Sequence, residues 1–403
     1  MPAKTPKVAD FSTHYSGPVA SRQLVQLGAD VIKVEGPRFG DGNRTLPPLT
    51  TAGDSINHLY LNIGTRSLTV DTRSEEWPEV VGAVARWADV VIVGNRPSAA
   101  RKRGIDYATI LEHNANTVYC MITGYGLEGP YADYPAHGLN MDVLAGTVPV
   151  EWEDGEPYPP ASYRSIGTTL AGIQAALGVM AGLHRRDQGM GPQFVHVSIW
   201  EAALSWMWRD LSTFANVGEQ WSIYREYGPR YCMYKGSDGE PILVCPMEEH
   251  FWHRFCDVLE LPEEIRERGD WSGGTDFGAG YEGELEAIRE RMAKRTAAEW
   301  NDLLAAADVP AALVLDWRQA MSSEHAHVNG AMLTYDYKDR AATIPTTPVS
   351  VLSDVSADAS YEEIAERHRA KGSELAQPPD LGENSAEILE EIGLPHLIEK
   401  LAR

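Results

Sequence analysis

Cysteine is scarce in this chain. Its 403 residues hold four, Cys120, Cys232, Cys245 and Cys256, and no two stand in a C-x-x-C spacing. That excludes a disulfide framework and a paired-cysteine zinc ribbon. Three of the four sit in apolar or aromatic runs, the setting of reduced, buried thiols in a cytosolic protein. Positive charge is also short: 35 Lys and Arg against 58 Asp and Glu leave a net charge of −23. That argues against nucleic acid or an anionic membrane surface as a partner. A small anionic ligand stays open, because a local basic patch can outweigh the global sign. No apolar run approaches the ~18 residues of a spanning helix. The opening "MPAKTPKVADF" lacks the apolar core of a secretory signal. The expectation is a cytoplasmic protein with no membrane partner. Also missing are G-x-S-x-G, a Walker loop, HExxH and any internal repeat, so no nucleophilic serine and no metal site is expected.

What is present is an alternation of strand and helix signals. "KVADFS" (7–12), "DVIKVEGP" (30–37), "RSLTVD" (66–71), "DVVIVG" (89–94) and "TVYCMITGYG" (117–126) read as strands. Between them, 17–29, 75–88 and 107–114 read as helices. Such an order implies a mostly parallel sheet covered by helices. Residues 167–186 form a long helix of Gly, Ala and Leu, and 193–211 run from a strand into a tryptophan-rich helix. Near 225 the texture changes to an antiparallel hairpin with a Ser-Asp-Gly turn, followed by acidic helices at 248–260, 281–294 and 297–307. "VPAALVLDW" and "EHAHVNGAMLTYDYKD" resume strand character, 353–380 reads as loop, and the C-terminus closes in an amphipathic helical pair. The expected architecture is α/β: a large domain with a mostly parallel sheet over 1–224, a smaller α+β domain over 225–325, and a return to the large domain over 326–403.

Several constellations have a bland and a sharp reading. "GYGLEGP" (124–130) matches G-x-G-x-x-G but comes late and opens no apolar helix, so it reads as a ligand-facing loop at a strand's carboxyl end rather than a dinucleotide fingerprint. "HFWHRFC" sets His250, His253 and Cys256 three apart; an amphipathic helix is favoured over a zinc site. "RPSAARKRG" (96–104) gathers Arg101, Lys102 and Arg103, either a solvated turn or a contact for phosphate. "AHGLNMD" places His137 near the inferred ligand edge, structural or catalytic; Asp142, five residues on, is a second carboxylate or a cap. "SIGTTLAG" (165–172) is a glycine turn opening a small-residue helix, a usual place for an anion or a catalytic side chain, yet it has no acid, histidine or cysteine.

The chain resembles the class III CoA transferases, a family that also holds the α-methylacyl-CoA racemases and carnitine-CoA transferases. The resemblance is carried by 7–44, by "LNIGTRSLTVD" (61–71), by "WADVVIVGNRPSAARKRGIDYATI" (87–110), by "TGYGLEGPYADYPAHG" (123–138) and by "PPDLGENSAEILEEIGL" (378–394). It implies a two-domain subunit with a Rossmann-like large domain, and an interlocked dimer with coenzyme A or acyl-CoA as substrate and no permanently bound cofactor. By position it implies CoA-facing roles for His14, Tyr15, Ser16, Val70, Arg73, Gly94, Asn95, Lys102 and Arg103. Gly36 stands where the family often has arginine, and Arg38 is the substitute.

Transferases of this family use an aspartate that attacks the acyl-CoA thioester and forms an acyl-aspartyl anhydride. Counting back from Gly178 and Gly172 places it at Thr168. The racemase branch uses a histidine and a carboxylate as opposed acid and base; His137 matches the histidine, while Gly138 replaces the acid that normally follows it. Three readings follow. One is an acyl-CoA:carboxylate CoA transferase, or a racemase-like isomerase using His137, that recruits Asp142, Glu151 or Glu153 as its carboxylate. Another is the subunit of a heteromer whose homologous partner bears the aspartate. The last is a non-catalytic acyl-CoA-binding protein, with Thr168 capping the helix or bonding the acyl carbonyl. Trp200, Trp206, Trp208, Trp221, Tyr224 and Tyr227 line either an aromatic core or interface, or a pocket for a bulky acyl group.

Overall fold

The computed structural model describes residues 5–218, 228–346, 348–372 and 376–402. The chain forms two compact units: Met1–Trp208 with Glu324–Arg403, and Arg209–Ser323. In the first, β1 (Lys7–Asp10) leads into α1 (Ser16–Gln26), β2 (Asp30–Glu35), α2 (Ile56–Leu61), β3 (Arg66–Thr69), α3 (Trp77–Trp87) and β4 (Val90–Val93). After α4 (Pro97–Arg103) and α5 (Tyr107–His113) come β5 (Val118–Thr123) and α6 (Gly138–Leu144). A hairpin follows, β6 (Glu151–Glu153) with β7 (Glu156–Tyr158), then α7 (Ile166–Asp187), β8 (Gln193–Ser198) and α8 (Ile199–Trp206); α9 (Trp208–Val217) opens the second unit.

Six strands pair in the order β3-β2-β1-β4-β5-β8, and every pairing is parallel. This is the large parallel α/β domain expected from the alternation. The chain winds outward from β1 to β3, then crosses to β4 on the other side. The carboxyl ends of β1 and β4 therefore flank the point where the winding reverses, the usual ligand crevice of doubly wound sheets.

Side-chain alternation explains why the sheet is covered on both faces. Ala9, Ile32, Leu68, Val91 and Tyr119 point to one face, packing with α3, Ile110 of α5 and the C-terminal Ile388, Leu389 and Leu397. Their neighbours Val8, Val31, Val90, Ile92 and Cys120 point to the other, against α1, α7 and α8.

Helix α7 is built for close approach. A Cβ on Gly172 would lie 2.5 Å from Val19 Cβ and 2.6 Å from the Ser16 carbonyl oxygen, and one on Gly182 would lie 2.8 Å from Val118 Cγ1. Only glycine lets α7 lie this near α1 and the sheet. The same small, uncharged composition corrects one expectation: α7 is long and apolar enough, by length and composition, to cross a membrane, and half of its most apolar window is buried in the fold. The sequence reading missed it because glycine and alanine weaken the apolar run without adding charge.

The second unit is the expected smaller α+β domain. An antiparallel sheet, β9 (Cys232–Lys235), β10 (Pro241–Val244) and β11 (Ala311–Leu313), runs in the order β11-β10-β9. Its core holds Trp252, Phe255, Cys256, Ile288, Met292 and Trp300, so the "HFWHRFC" helix turns its Trp-Phe-Cys face inward. Arg230 is fully buried there, 3.9 Å from the Trp252 ring and paired with Glu284 at 2.8 Å. Two segments differ from expectation. Within 353–380, read as loop, Tyr361–Gly372 is helical, and Glu324–Val328 is a short helix before the hairpin β12 (Met332–Tyr337) and β13 (Arg340–Pro345). Their alanine and glutamate content carries helix propensity that an apolar-period reading overlooks. Trp221, Tyr224 and Tyr227 lie outside the described residues.

Candidate active site at the sheet switch point

The β1–α1 connection is held by a buried charge cluster. Lys33 Nζ lies 3.1 Å from Asp10 Oδ2 and 2.9 Å from Asp41 Oδ2, and donates to the Ser12 carbonyl over 2.6 Å. Burial alone would lower the Lys33 ammonium; Asp10 and Asp41 overturn that and hold it above its ordinary value. Asp41 is likewise opposed by burial, yet Lys33 and the N–H groups around it keep its carboxyl below the usual range. Asp41 Oδ1 accepts from the Asn43 N–H at 3.0 Å and from the His14 N–H at 2.6 Å. His14 has a φ of +70°, a left-handed conformation that costs a non-glycine residue of order 1 kcal/mol or more. Asp41 supplies the bond that holds it there.

This clamp sets the crevice. Phe11 N–H donates to the Ile92 carbonyl at 2.9 Å, zipping the strand ends. Gly94 and Gly17 then pass so close to Ser12 that a Cβ on either would lie 2.8 Å from Ser12 Cβ or 1.7 Å from Ser12 Oγ. His14, Tyr15, Ser16, Gly94 and Asn95 thus gather where the winding reverses. Among the described residues, two polar atoms there are buried without a partner, Ser16 Oγ and Asn95 Oδ1. Lys102 and Arg103 are exposed in the last turn of α4. Arg73 is exposed in the turn after β3, and Arg38 lies 4.9 Å from the Phe39 ring. Val70 is wholly buried, so its side chain faces the core.

The second half of the site comes from α6 and α7. The rings of His14 and His137 meet edge-on, centroids 6.0 Å apart. His137 caps α6, its N–H donating to Asn140 Oδ1 at 2.8 Å. One residue on, Gly138 is tightly packed: a Cβ would lie 2.9 Å from Thr168 Cγ2 and 3.3 Å from Ser165 Oγ, so a side chain there would have to displace one of them. Thr168 is 5% exposed, and Asp142 is fully buried. Asp142 Oδ1 accepts from the Gly167 N–H at 2.9 Å and Oδ2 from Ser165 Oγ at 2.7 Å. Ser165 Oγ lies 3.0 Å from Thr168 Oγ1. Asp142 is therefore a cap, borrowed by α7 from α6. The hydroxyl of Tyr163 next to it has its pKa raised, mainly by burial and further by the Asp142 carboxylate, against the Thr147 hydrogen bond.

Glu151 and Glu153 lie on an exposed hairpin strand. Trp206 and Trp208 are exposed, and Trp200 buries its Nε1 with no partner among the described residues. An open cavity of about 520 Å³ lies at the amino end of β3, lined by Arg66, Lys338 and Asp380 among others. Its Lys338 is already paired with Asp380 at 2.7 Å, and it sits at the opposite strand ends from the crevice. Sequence reasoning gave Ser165, Lys33 and Asp41 no role. Two acids flanking a lysine in "VADFSTHYSG…IKVEGPRFGDGN" were the available signal for the clamp.

The CoA-transferase family III profile matches residues 5–362. The chain is 26% identical over 397 residues to a (R)-2-hydroxy-4-methylpentanoate CoA-transferase of Clostridioides difficile, covering 96% of this chain and 94% of that protein. It is 23% identical over 398 residues to the succinyl-CoA–L-malate CoA-transferase beta subunit of Chloroflexus aurantiacus, covering 97% and 94%. The fold matches a crystal structure of mutant Rv3272 from Mycobacterium tuberculosis with a TM-score of 0.78, 24% identity, and coverage of 96% and 98%.

Proposed function

Since this chain belongs to CoA-transferase family III, we propose that it seats an acyl-CoA at the β1/β4 crevice as an acyl-CoA:carboxylate CoA transferase, or as a subunit of one. The observation that carries the reading is the convergence at one strand end of His14, His137, Thr168 and two unpartnered polar atoms, Ser16 Oγ and Asn95 Oδ1. A buried polar atom without a partner costs roughly 1–3 kcal/mol, and a ligand's polar groups at this edge relieve that cost. Lys102 and Arg103 suit CoA phosphates, locally reversing the sign of an acidic protein; Arg38, Arg73 and the Val70 backbone complete the same edge.

The carboxylate that would shuttle the acyl group is absent at position 168, and Asp142 does not replace it, because both its oxygens are engaged and it is fully buried. This favours the heteromer, in which a homologous subunit with Asp at the aligned turn carries the nucleophile; one relative is itself named as a beta subunit. Racemisation with His137 has no opposed free carboxylate among the described residues near it and is the weaker reading. In the cytoplasmic complex we propose, two chains interlock. Support comes from apolar stripes left uncovered in each unit: Ile173, Leu177 and Met180 on α7, and Leu211, Phe214 and Val217 on α9. Exposed Trp206 and Trp208 fit an aromatic or polycyclic acyl group.

The test is CoA exchange between two carboxylic acids by the chain alone and by Thr168→Asp. The expected result is no exchange above background by the wild type and a measurable gain in T168D. Robust wild-type exchange, or a T168D protein that binds CoA yet never gains exchange, would count against the missing-nucleophile reading.

A further inference from the structure

We propose that Thr168 is itself an acyl acceptor, taking the acyl group of a bound acyl-CoA as an ester and releasing it to water, with Ser165 and Asp142 carrying the proton. The inference rests on an acyl-CoA being seated at this edge, as argued above. It begins with hydrogen-bond direction. An ionised carboxylate only accepts, so Ser165 spends its one proton on Asp142 Oδ2 at 2.7 Å. The 3.0 Å contact between Ser165 Oγ and Thr168 Oγ1 must then run from threonine to serine. The Thr168 proton is thereby spent on Ser165, and among the described residues no donor occupies the Thr168 Oγ1 lone pairs. That is the orientation of a nucleophile and the reverse of a donor to an acyl carbonyl. The chain ends on a carboxylate whose other oxygen is fixed by the Gly167 N–H. A carboxylate is an adequate acceptor for a hydroxyl proton in phosphoryl transfer, and the burial of Asp142 keeps bulk water from short-circuiting the chain.

The chemistry balances without an added reagent. Thr168 Oγ1 attacks the thioester carbonyl carbon. As the O–C bond forms, its proton passes to Ser165 Oγ and the Ser165 proton to Asp142 Oδ2. The tetrahedral centre collapses with loss of the C–S bond, and the proton returns through Ser165 to the departing sulfur, leaving free CoA and an ester on Thr168. Water then attacks the ester carbon and gives one proton to the same relay. The bond to Thr168 breaks, and Thr168 Oγ1 recovers the proton. The sum is acyl-CoA plus water to carboxylic acid plus CoA. A carboxylate acceptor cannot take the place of water, because it would have to form an anhydride from the more stable ester. At this chain's own turn the acyl group therefore goes to water, while transfer to a carboxylate is left to the aspartate-bearing subunit of the heteromer.

The test uses the full chain with benzoyl-CoA and butyryl-CoA, quenched in acid during turnover and mapped by mass spectrometry, with CoA affinity measured separately by calorimetry. The expected result is an acyl mass on Thr168 that survives neutral hydroxylamine, is kept in T168S and is absent in T168A. Ser165→Ala leaves the Gly167–Asp142 cap in place. It should slow CoA release about 100-fold, within the range of general-base catalysis, at unchanged CoA affinity, and S165T should restore it. Binding without an adduct overturns this proposal alone. An adduct on a carboxylate, labile to neutral hydroxylamine, also overturns it, in favour of anhydride chemistry. Failure of the wild type to bind CoA overturns both this proposal and the function it rests on.

Discussion

His58 is a buried histidine beside a guanidinium. It is 4% exposed, Asn62 Nδ2 lies 2.7 Å from its Nδ1, and Arg44 Nη1 lies 3.4 Å from its Nε2. Burial, then the Arg44 charge, lowers its pKa to about 4 from an ordinary 6.5; Glu35 and Asp41 pull weakly the other way, and Lys338 adds to the depression. The consequence for stability has a definite sign. Above pH 6.5 the imidazole is neutral in both states, and the folded protein keeps its full stability. Between pH 6.5 and 4 the unfolded chain takes up a proton that the folded protein refuses, so stability falls as pH falls, by about 3 kcal/mol in all. Glu35 and Asp41, both held below their ordinary values, add a further loss below about pH 4. Urea unfolding from pH 7.5 to 4 should therefore show this slope in the wild type and a flatter one in His58→Asn. An H58N slope equal to the wild type would mean that another group carries the titration.

Helices α1 and α7 place the candidate side chains, His14 and Thr168 among them, by how closely they pack. Gly172, one turn beyond Thr168, faces the first turn of α1, where Ser16 and Val19 sit. Gly172→Ala puts a methyl group 2.5 Å from Val19 Cβ and 2.6 Å from the Ser16 carbonyl oxygen. Backbone cannot yield as a flexible side chain can, so the helices must part. Overpacking of this kind costs roughly 1–3 kcal/mol, and we expect a lower Tm together with weaker CoA binding, since the His14–Ser16 turn moves with α1. A G172A protein with wild-type Tm and CoA affinity would show that the packing does not position the turn. This coupling also marks the limit of what could be read beforehand. The strands and most helices were legible because apolar residues recur at the period of each element, and the sheet's parallel character followed from their alternation. The strand order was not, because nothing local in β1 says that β4 will pair with it. His137 and Thr168 could be singled out on the resemblance. Their neighbours could not: Ser165 needs Asp142, twenty-three residues away, and a lone aspartate in "GLNMD" looks like any helix acid. The helix at 361–372 went unread because its alanine, glutamate and arginine carry propensity without an apolar stripe.

At the scale of the molecule, two features pull in opposite directions. A net charge of −23 favours separate, soluble chains. Yet α7 presents Ile173, Leu177 and Met180, with Leu177 71% exposed, spaced four and three apart along one face of the helix. None of these side chains belongs to the sheet-facing cluster, which takes Ala171, Ala175, Ala176, Val179 and Leu183 from the same helix. An apolar row on a helix whose opposite face is already buried is the kind of surface that the assembly proposed above would cover. The three side chains together are worth several kcal/mol if covered, at ~25 cal/mol per Å², enough to offset like-charge repulsion that is screened beyond about 8 Å at physiological salt. The assembled protein should therefore run at a multiple of the chain mass in light scattering. Leu177→Glu, which places a charge in the middle of the row, should shift it to the mass of one chain while leaving unfolding of the separate units intact. Low salt should weaken the wild-type assembly and high salt strengthen it, the reverse of an interface held by ion pairs. A single-chain mass for the wild type at micromolar concentration, or a full-size assembly in L177E, would sink the interface.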